Sequence, residues 1–173
     1  ERGLASIMRW LPFPISERDL THWILNKMLR PHVLPTLRED VLIEHAITRE
    51  ALSLALEALW DEQPNAQYDF VMAGGGVLSH SPHPGLAALT ILDALQPTLD
   101  QTELAVELHL DMLSLAPAAG ALAFADSDGA LSMIERDLLN NTPLATCIVA
   151  LGDGRRDEVA VEAELTPVGE APR

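Results

Sequence analysis

Three consecutive glycines, Gly74-Gly75-Gly76, follow the apolar run Phe70 to Ala73 and lead through Val77-Leu-Ser-His80 into a proline-framed turn, Ser81-Pro-His-Pro-Gly85. Glycine accepts positive φ and carries no side chain to hold a ligand away from the backbone. A strand that delivers three glycines to its C-terminal end offers a nucleotide or phosphate a close approach, and open α/β sheets bind ligands at that edge. The same residues also make a tight strand-to-helix turn without any ligand. Two common cofactor loops do not fit: the spaced third glycine of the dinucleotide fingerprint is missing, and no Lys follows as in a Walker A loop. Ser79 and His80 are placed to lend hydrogen bonds to a bound ligand or to the turn itself.

Other reactive side chains have plainer readings. His80 and His83 lie three apart, with His109 as a conceivable third ligand. Zinc needs three or four ligands held by the fold, and this spacing falls in a proline-broken turn without a Cys or carboxylate companion, so no metal is expected. Cys147 sits in the apolar run Ala145 to Ala150 and reads as a buried, inert thiol. Asp93, Asp111, Asp126 and Asp128 read as helix-end and turn residues. No Ser-His-Asp arrangement can be assembled, and no catalytic residue is assigned.

The elements that would position these groups are mostly helical. The chain has 173 residues and is 48% hydrophobic, enough for one domain with a substantial core. Lys and Arg number 11 against 26 Asp and Glu, a formal charge of −15. That balance disfavours nucleic acid and anionic membrane, which both need clustered positive charge. A single cysteine cannot form an intramolecular disulfide and fits a reducing, cytoplasmic compartment. No apolar run approaches the ~20 residues of a transmembrane helix. No basic leader precedes an apolar core, and Glu1 falls in mid-pattern, so the chain is expected to be a segment of something longer.

Residues 1–15 read as an apolar lead-in, with Trp10, Leu11 and Phe13 on a loop stiffened by Pro12 and Pro14. It is expected either to dock on the domain or to form an interface. Ser16 is the expected N-cap of a helix that Pro31 closes. Thr36-Leu-Arg-Glu39 reads as a capping box for a long helix ending near Trp60, with Glu44, Arg49, Glu50 and Glu57 mostly on its solvated face. His22, His32 and His45 read as surface or capping histidines. A strand over about 68–73 precedes the glycines, and a helix runs from Pro84 to just before Pro97. Alternation over Leu104 to Leu110 predicts a half-buried strand, with a helix as the alternative. Leu113 to Ala125 is helical and small-residued, Asp126 to Gly129 is a turn, and a helix spans about Ala130 to Leu139. Leu144 to Leu151, a Gly152-Asp-Gly154 turn and the alternating Val159 to Leu165 predict a β-hairpin.

Strand, glycine pair and turn resemble the adenosine-contacting segment of actin-like ATPases, the fold shared with sugar kinases. Pro117-Ala-Ala-Gly-Ala-Leu-Ala123 resembles the Gly-Ala-rich helix after the last core strand of that fold. The runs Val71 to Gly85, Ile91-Leu-Asp-Ala-Leu-Gln-Pro97 and Ile134-Glu-Arg-Asp137 look like the C-terminal part of the glutamate mutase accessory protein family (GlmL, also called MutL). Trp10-Leu-Pro-Phe13 and Asn26-Lys-Met-Leu-Arg-Pro31 are similar to the same family, so the resemblance covers nearly the whole chain.

The resemblance implies an α/β chain forming the helix-rich second half of an actin-like, ribonuclease H-like (ASKHA) ATPase fold. The implied ATPase subdomain is 16–143; the pattern reading sets it between the lead-in 1–15 and the hairpin 144–166, with a frayed tail 167–173. It also implies ATP with Mg as cofactor and an adenosylcobalamin-dependent mutase as partner, reactivated or assembled in a chaperone-like manner. A homo-oligomer is compatible with it. The nucleotide-binding set would be Gly74, Gly75, Gly76, Ser79 and His80. The family's phosphate-gripping loop is expected elsewhere, because no Asp-x-Gly-x-Thr/Ser segment occurs here. The segment should therefore hold the adenosine side of the site, with the Mg ligands outside it, and by itself catalyse nothing. The alternative is a helix-rich protein-interaction domain without a nucleotide site, docking a partner through Trp10 and Phe13. A small-molecule kinase of the same fold would need a catalytic Asp that the chain does not offer.

Overall fold

The computed structural model describes residues 3–98, 101–102, 105–139, 143–149, 159 and 162. The lead-in contains a short helix, α1 (Leu4–Met8), ahead of the two prolines. Helix α2 (Glu17–Leu29) starts as its sequence requires. The Ser16 hydroxyl accepts the Asp19 N–H at 3.1 Å and donates to the Asp19 carboxylate at 2.6 Å. Glu17 and Asp19 add negative charge to the positive end of the helix dipole.

Helix α3 (Arg38–Glu62) corrects three expectations. Its N-cap is Leu37 and makes no side-chain bond, so the Thr36–Glu39 capping box does not form. The helix begins one residue later, and Asp40 instead accepts the Trp23 indole N–H at 2.7 Å, tying α2 to α3. Glu44, Arg49 and Glu50 are buried rather than solvated. The side of α3 that periodicity leaves for water is covered by the lead-in, α2 and α5. Each buried charge there has a partner: Glu44 pairs with Lys27, Arg49 with Asp93 at 2.7 Å, and Glu50 with Arg9 at 2.8 Å. Unpaired charges could not stay there. His45 is 1% exposed and fills the α3–α5 interface, so it is not a surface residue.

The sheet has the order β1-β2-β3. Strands β1 (Phe70–Ala73) and β2 (Ala105–Leu110) are parallel, in register from Phe70 opposite Glu107 to Ala73 opposite Leu110. The helical alternative for the alternating segment is thereby excluded. The crossover carries the one-turn helix α4 (Gly76–Ser79) and α5 (Pro84–Leu95), as parallel pairing demands a long connection. Pro84 occupies the first turn of α5, and the chain leaves it through Gln96 in the left-handed region (φ 44°) before Pro97. Strand β3 (Ala145–Ile148) runs antiparallel to β2. The turn at 152–154 lies outside the described residues, and of the second hairpin strand only Val159 and Glu162 are described, both exposed.

Val106 and Leu108 of β2 meet Ala87, Ala88, Ile91 and Leu95 of α5, with Leu78 of α4, in the core. Alanines on α5 and at Ala46 of α3 let these helices approach closely, since interaxial distance follows side-chain size. Helix α6 (Leu115–Leu122) packs on α7 (Ser127–Met133) and the π-helical turn Ile134–Leu138 that continues it. Asp126 to Gly129 is the start of α7 and not a separate turn: the Asp126 carboxylate accepts the Gly129 N–H at 2.9 Å. Asp and Ser favour turns and N-caps for the same reason, a short oxygen that reaches a free backbone N–H.

Candidate functional site

The glycines stand at the carboxyl end of β1, beside the last rung of the parallel pair. Asp111, one residue past β2, continues the ladder by donating its N–H to the Ala73 carbonyl at 2.8 Å. Gly74 lies against it: a Cβ there would sit 3.9 Å from the Asp111 Cβ, an ordinary contact. Gly75 takes φ 101°, which L side chains rarely adopt. The turn thus explains Gly75 by backbone conformation alone. Gly76 is different. Its φ is ordinary and a Cβ would meet no protein atom within 4 Å, so neither strain nor packing accounts for it.

Gly76 opens on a cleft of about 460 Å³, within the range of small-molecule sites. Val77 and His80 line the same wall, and Lys27, His32, Glu44 and His45 come from the α2–α3 side. Of the five sequence-predicted ligand residues, Gly76 and His80 line this cleft. Gly74 and Gly75 form the turn behind it. Ser79 is buried, and its hydroxyl donates to the Asp111 carbonyl at 2.8 Å. That bond holds α4 to the end of β2, the second of the two roles its position allows, and Ser79 does not line the cleft.

Polar groups in the cleft are mostly engaged. The Lys27 ammonium pairs with Glu44 and donates to the Val33 carbonyl at 2.6 Å. His80 Nδ1 lies 2.9 Å from the Gly76 carbonyl, which can only accept, so Nδ1 carries the proton. His45 Nδ1 lies 2.8 Å from the Thr90 hydroxyl, whose own hydrogen goes to the Leu86 carbonyl at 2.7 Å. His45 must therefore donate from Nδ1. Burial, reinforced by the Arg49 guanidinium, lowers its pKa to about 4, so the ring is neutral at physiological pH.

The other histidines do not converge. His83 accepts the Gly85 N–H at 3.0 Å as the N-cap of α5. His109 is buried on β2 with Phe70 at 4.8 Å between ring centroids. No group of three or more His, Cys, Asp or Glu among the described residues is arranged to hold a metal. A second hollow of about 490 Å³ lies beyond β2, lined by Asp111, Met112, Leu113 and Leu138 among others. Its buried carboxylate, Asp111, is already spent on the first amides of α6, accepting Leu115 N–H at 2.8 Å and Ala116 N–H at 2.9 Å. Cys147 is half-buried, with its thiol free. Sequence reasoning missed Lys27 and His45, because a long helix carries no local mark of which residue will face a turn formed much later in the chain.

Taken together, this is a helix-rich α/β protein with a small sheet and a ligand-sized cleft beside the carboxyl end of its parallel strands. Among the described residues no helix is long and apolar enough to cross a membrane. A family model described as MutL protein matches residues 1–138, and the chain belongs to that family, the glutamate mutase accessory proteins. No curated relative and no solved structure matches it.

Proposed function

We propose that this chain is the adenosine-side half of an ATP-binding, chaperone-like protein that reactivates or assembles an adenosylcobalamin-dependent mutase in the cytoplasm. Family membership supports the mutase partnership. Gly76 carries the nucleotide reading: it is a glycine that the protein's own packing does not need, bordering a cleft of about 460 Å³. The absent side chain keeps the wall next to His80 and Val77 bare, and a flat, partly apolar group such as a purine fits against bare backbone. The actin-like ATPase fold fits the same arrangement of strand, glycines and helix. On this reading the phosphate loop and the Mg ligands lie outside the segment, and ATP binds here through its base and sugar.

Calorimetric titration of the chain with Mg·ATP tests the proposal, alongside Gly76→Val. Weak binding without hydrolysis is expected, and the Val side chain should remove it while leaving the thermal transition unchanged. ATP binding equal in the two proteins would sink the assignment. Robust turnover by the chain alone would overturn the half-site.

An interaction domain without a nucleotide site is the second reading. It draws on the apolar surface of α2 and the following loop, where Met28 is 71% and Leu29 80% exposed with Leu25, Val33 and Leu37 nearby. Trp10 of the lead-in is drawn onto α3, its indole donating to Glu50 at 2.7 Å with the Arg9 and Arg49 guanidiniums 5.0 and 5.3 Å from its ring centroid. A mutase that bound the chain equally well with and without ATP, and lost binding on Leu29→Asp, would favour this reading.

A further inference from the structure

We propose that His45 selects the base in the cleft, its Nε2 accepting a hydrogen bond from an exocyclic amine such as the 6-amino group of adenine. The proposal rests on the nucleotide reading above and adds to it a residue and a specificity.

The cleft's polar groups differ in what they have left to offer. Lys27 is committed to Glu44 and to the Val33 carbonyl, while Glu44 meets Lys27 through one carboxylate oxygen and balances its charge. His80 lines the opening but is exposed, so water competes for its ring. His45 is buried, lines the same cleft and has one nitrogen spent on Thr90. Thr90, having given its hydrogen to Leu86, can only receive one from His45. The chain of bonds Leu86–Thr90–His45 therefore fixes a single tautomer, leaving Nε2 as a lone pair with no hydrogen-bond partner among the described residues. The low pKa keeps that lone pair available throughout the physiological range.

A fixed acceptor discriminates by repulsion as well as attraction. A 6-amino purine supplies the missing hydrogen. A 6-oxo purine brings a second lone pair to the same place, so it loses the bond and sets two acceptors against each other. Sites that hydrogen-bond one substituent reject analogues lacking it far more strongly than sites that only sense size. A purely structural histidine would satisfy Thr90 and be indifferent to the base.

The test titrates the chain with Mg·ATP and Mg·ITP and follows the His45 ring nitrogens by ¹⁵N spectroscopy. ATP should bind at least about tenfold more tightly than ITP, and the Nε2 resonance should move with ATP and not with ITP. His45→Leu should abolish the preference, and His45→Gln, whose amide oxygen can accept, should restore part of it. Equal affinities for ATP and ITP in the wild-type chain, or a preference that survives His45→Leu, would overturn the role of His45 while leaving nucleotide binding in place. Failure of both nucleotides to bind would instead remove the nucleotide reading and this inference with it. If His45→Leu does not fold, the wild-type ratio and the ¹⁵N signature decide.

Discussion

The two sides of α3 solve opposite problems. Toward the lead-in and α5, Arg9, Trp10, Glu50, Arg49 and Asp93 join charge to charge and tie the helix to its neighbours. Toward the glycine turn, Lys27 and Glu44 close on each other and the space beyond them stays open. One side ties the helix to its neighbours, and the other faces the glycine turn across a cleft of about 460 Å³. Buried polar groups alone therefore do not mark a site in this molecule. What sets the glycine side apart is the bare backbone of Gly76 on the wall of a cleft, with His45 beside it, whose Nε2 has no hydrogen-bond partner among the described residues.

That contrast can be broken from either side. The largest effect should come from the closed side. Arg49→Met strips Asp93 of its partner, and urea unfolding should show a loss of about 2 to 3 kcal/mol, below the figure for a fully buried pair because Asp93 is partly exposed. Ligand affinity should change little. Next comes pH. Unfolded His45 takes up a proton near its ordinary value of 6.5 and the folded ring only near 4. Between those values the unfolded state binds more protons, so stability falls as pH is lowered through that window and falls no further from this group below it. The difference between the wild-type and His45→Gln stability curves should reach about 2 kcal/mol, less than the full shift would give because solvent relaxation screens the charge. A flat difference curve would show that the ring is not buried neutral.

On the glycine side, Gly75→Ala should cost about 1 to 2 kcal/mol through its positive φ. Gly76→Ala should cost less than about 0.5 kcal/mol, since Ala is the better helix former. Thermal melts of the pair test whether only the first glycine serves the fold. Trp10→Phe, which removes one donor from Glu50 while Arg9 remains, should cost about 1 kcal/mol, leaving Gly76→Ala the smallest effect.

Legibility followed the range of the forces. Ser16 as a cap, Pro84 as a first-turn residue and the alternation that became β2 are local chemistry, and each was readable. The glycine turn was readable as a place, though not as a division of labour among its three residues, because φ and open space belong to the folded chain. Glu44, His45, Arg49 and Glu50 were read as solvated or surface groups because their spacing opposes the apolar stripe. Only the packing of α3 on two sides buries them, and nothing within α3 announces a second neighbour. Thr36 does not cap the helix, which starts one residue later with Leu37 as its N-cap.

Asp111 gives the turn a mechanical meaning. Its N–H grips the end of β1, its carbonyl holds Ser79 of α4, and its carboxylate holds the first two amides of α6. Three elements are thereby geared through one residue. A distortion of the glycine turn therefore strains bonds that lead through Asp111 directly to the start of α6.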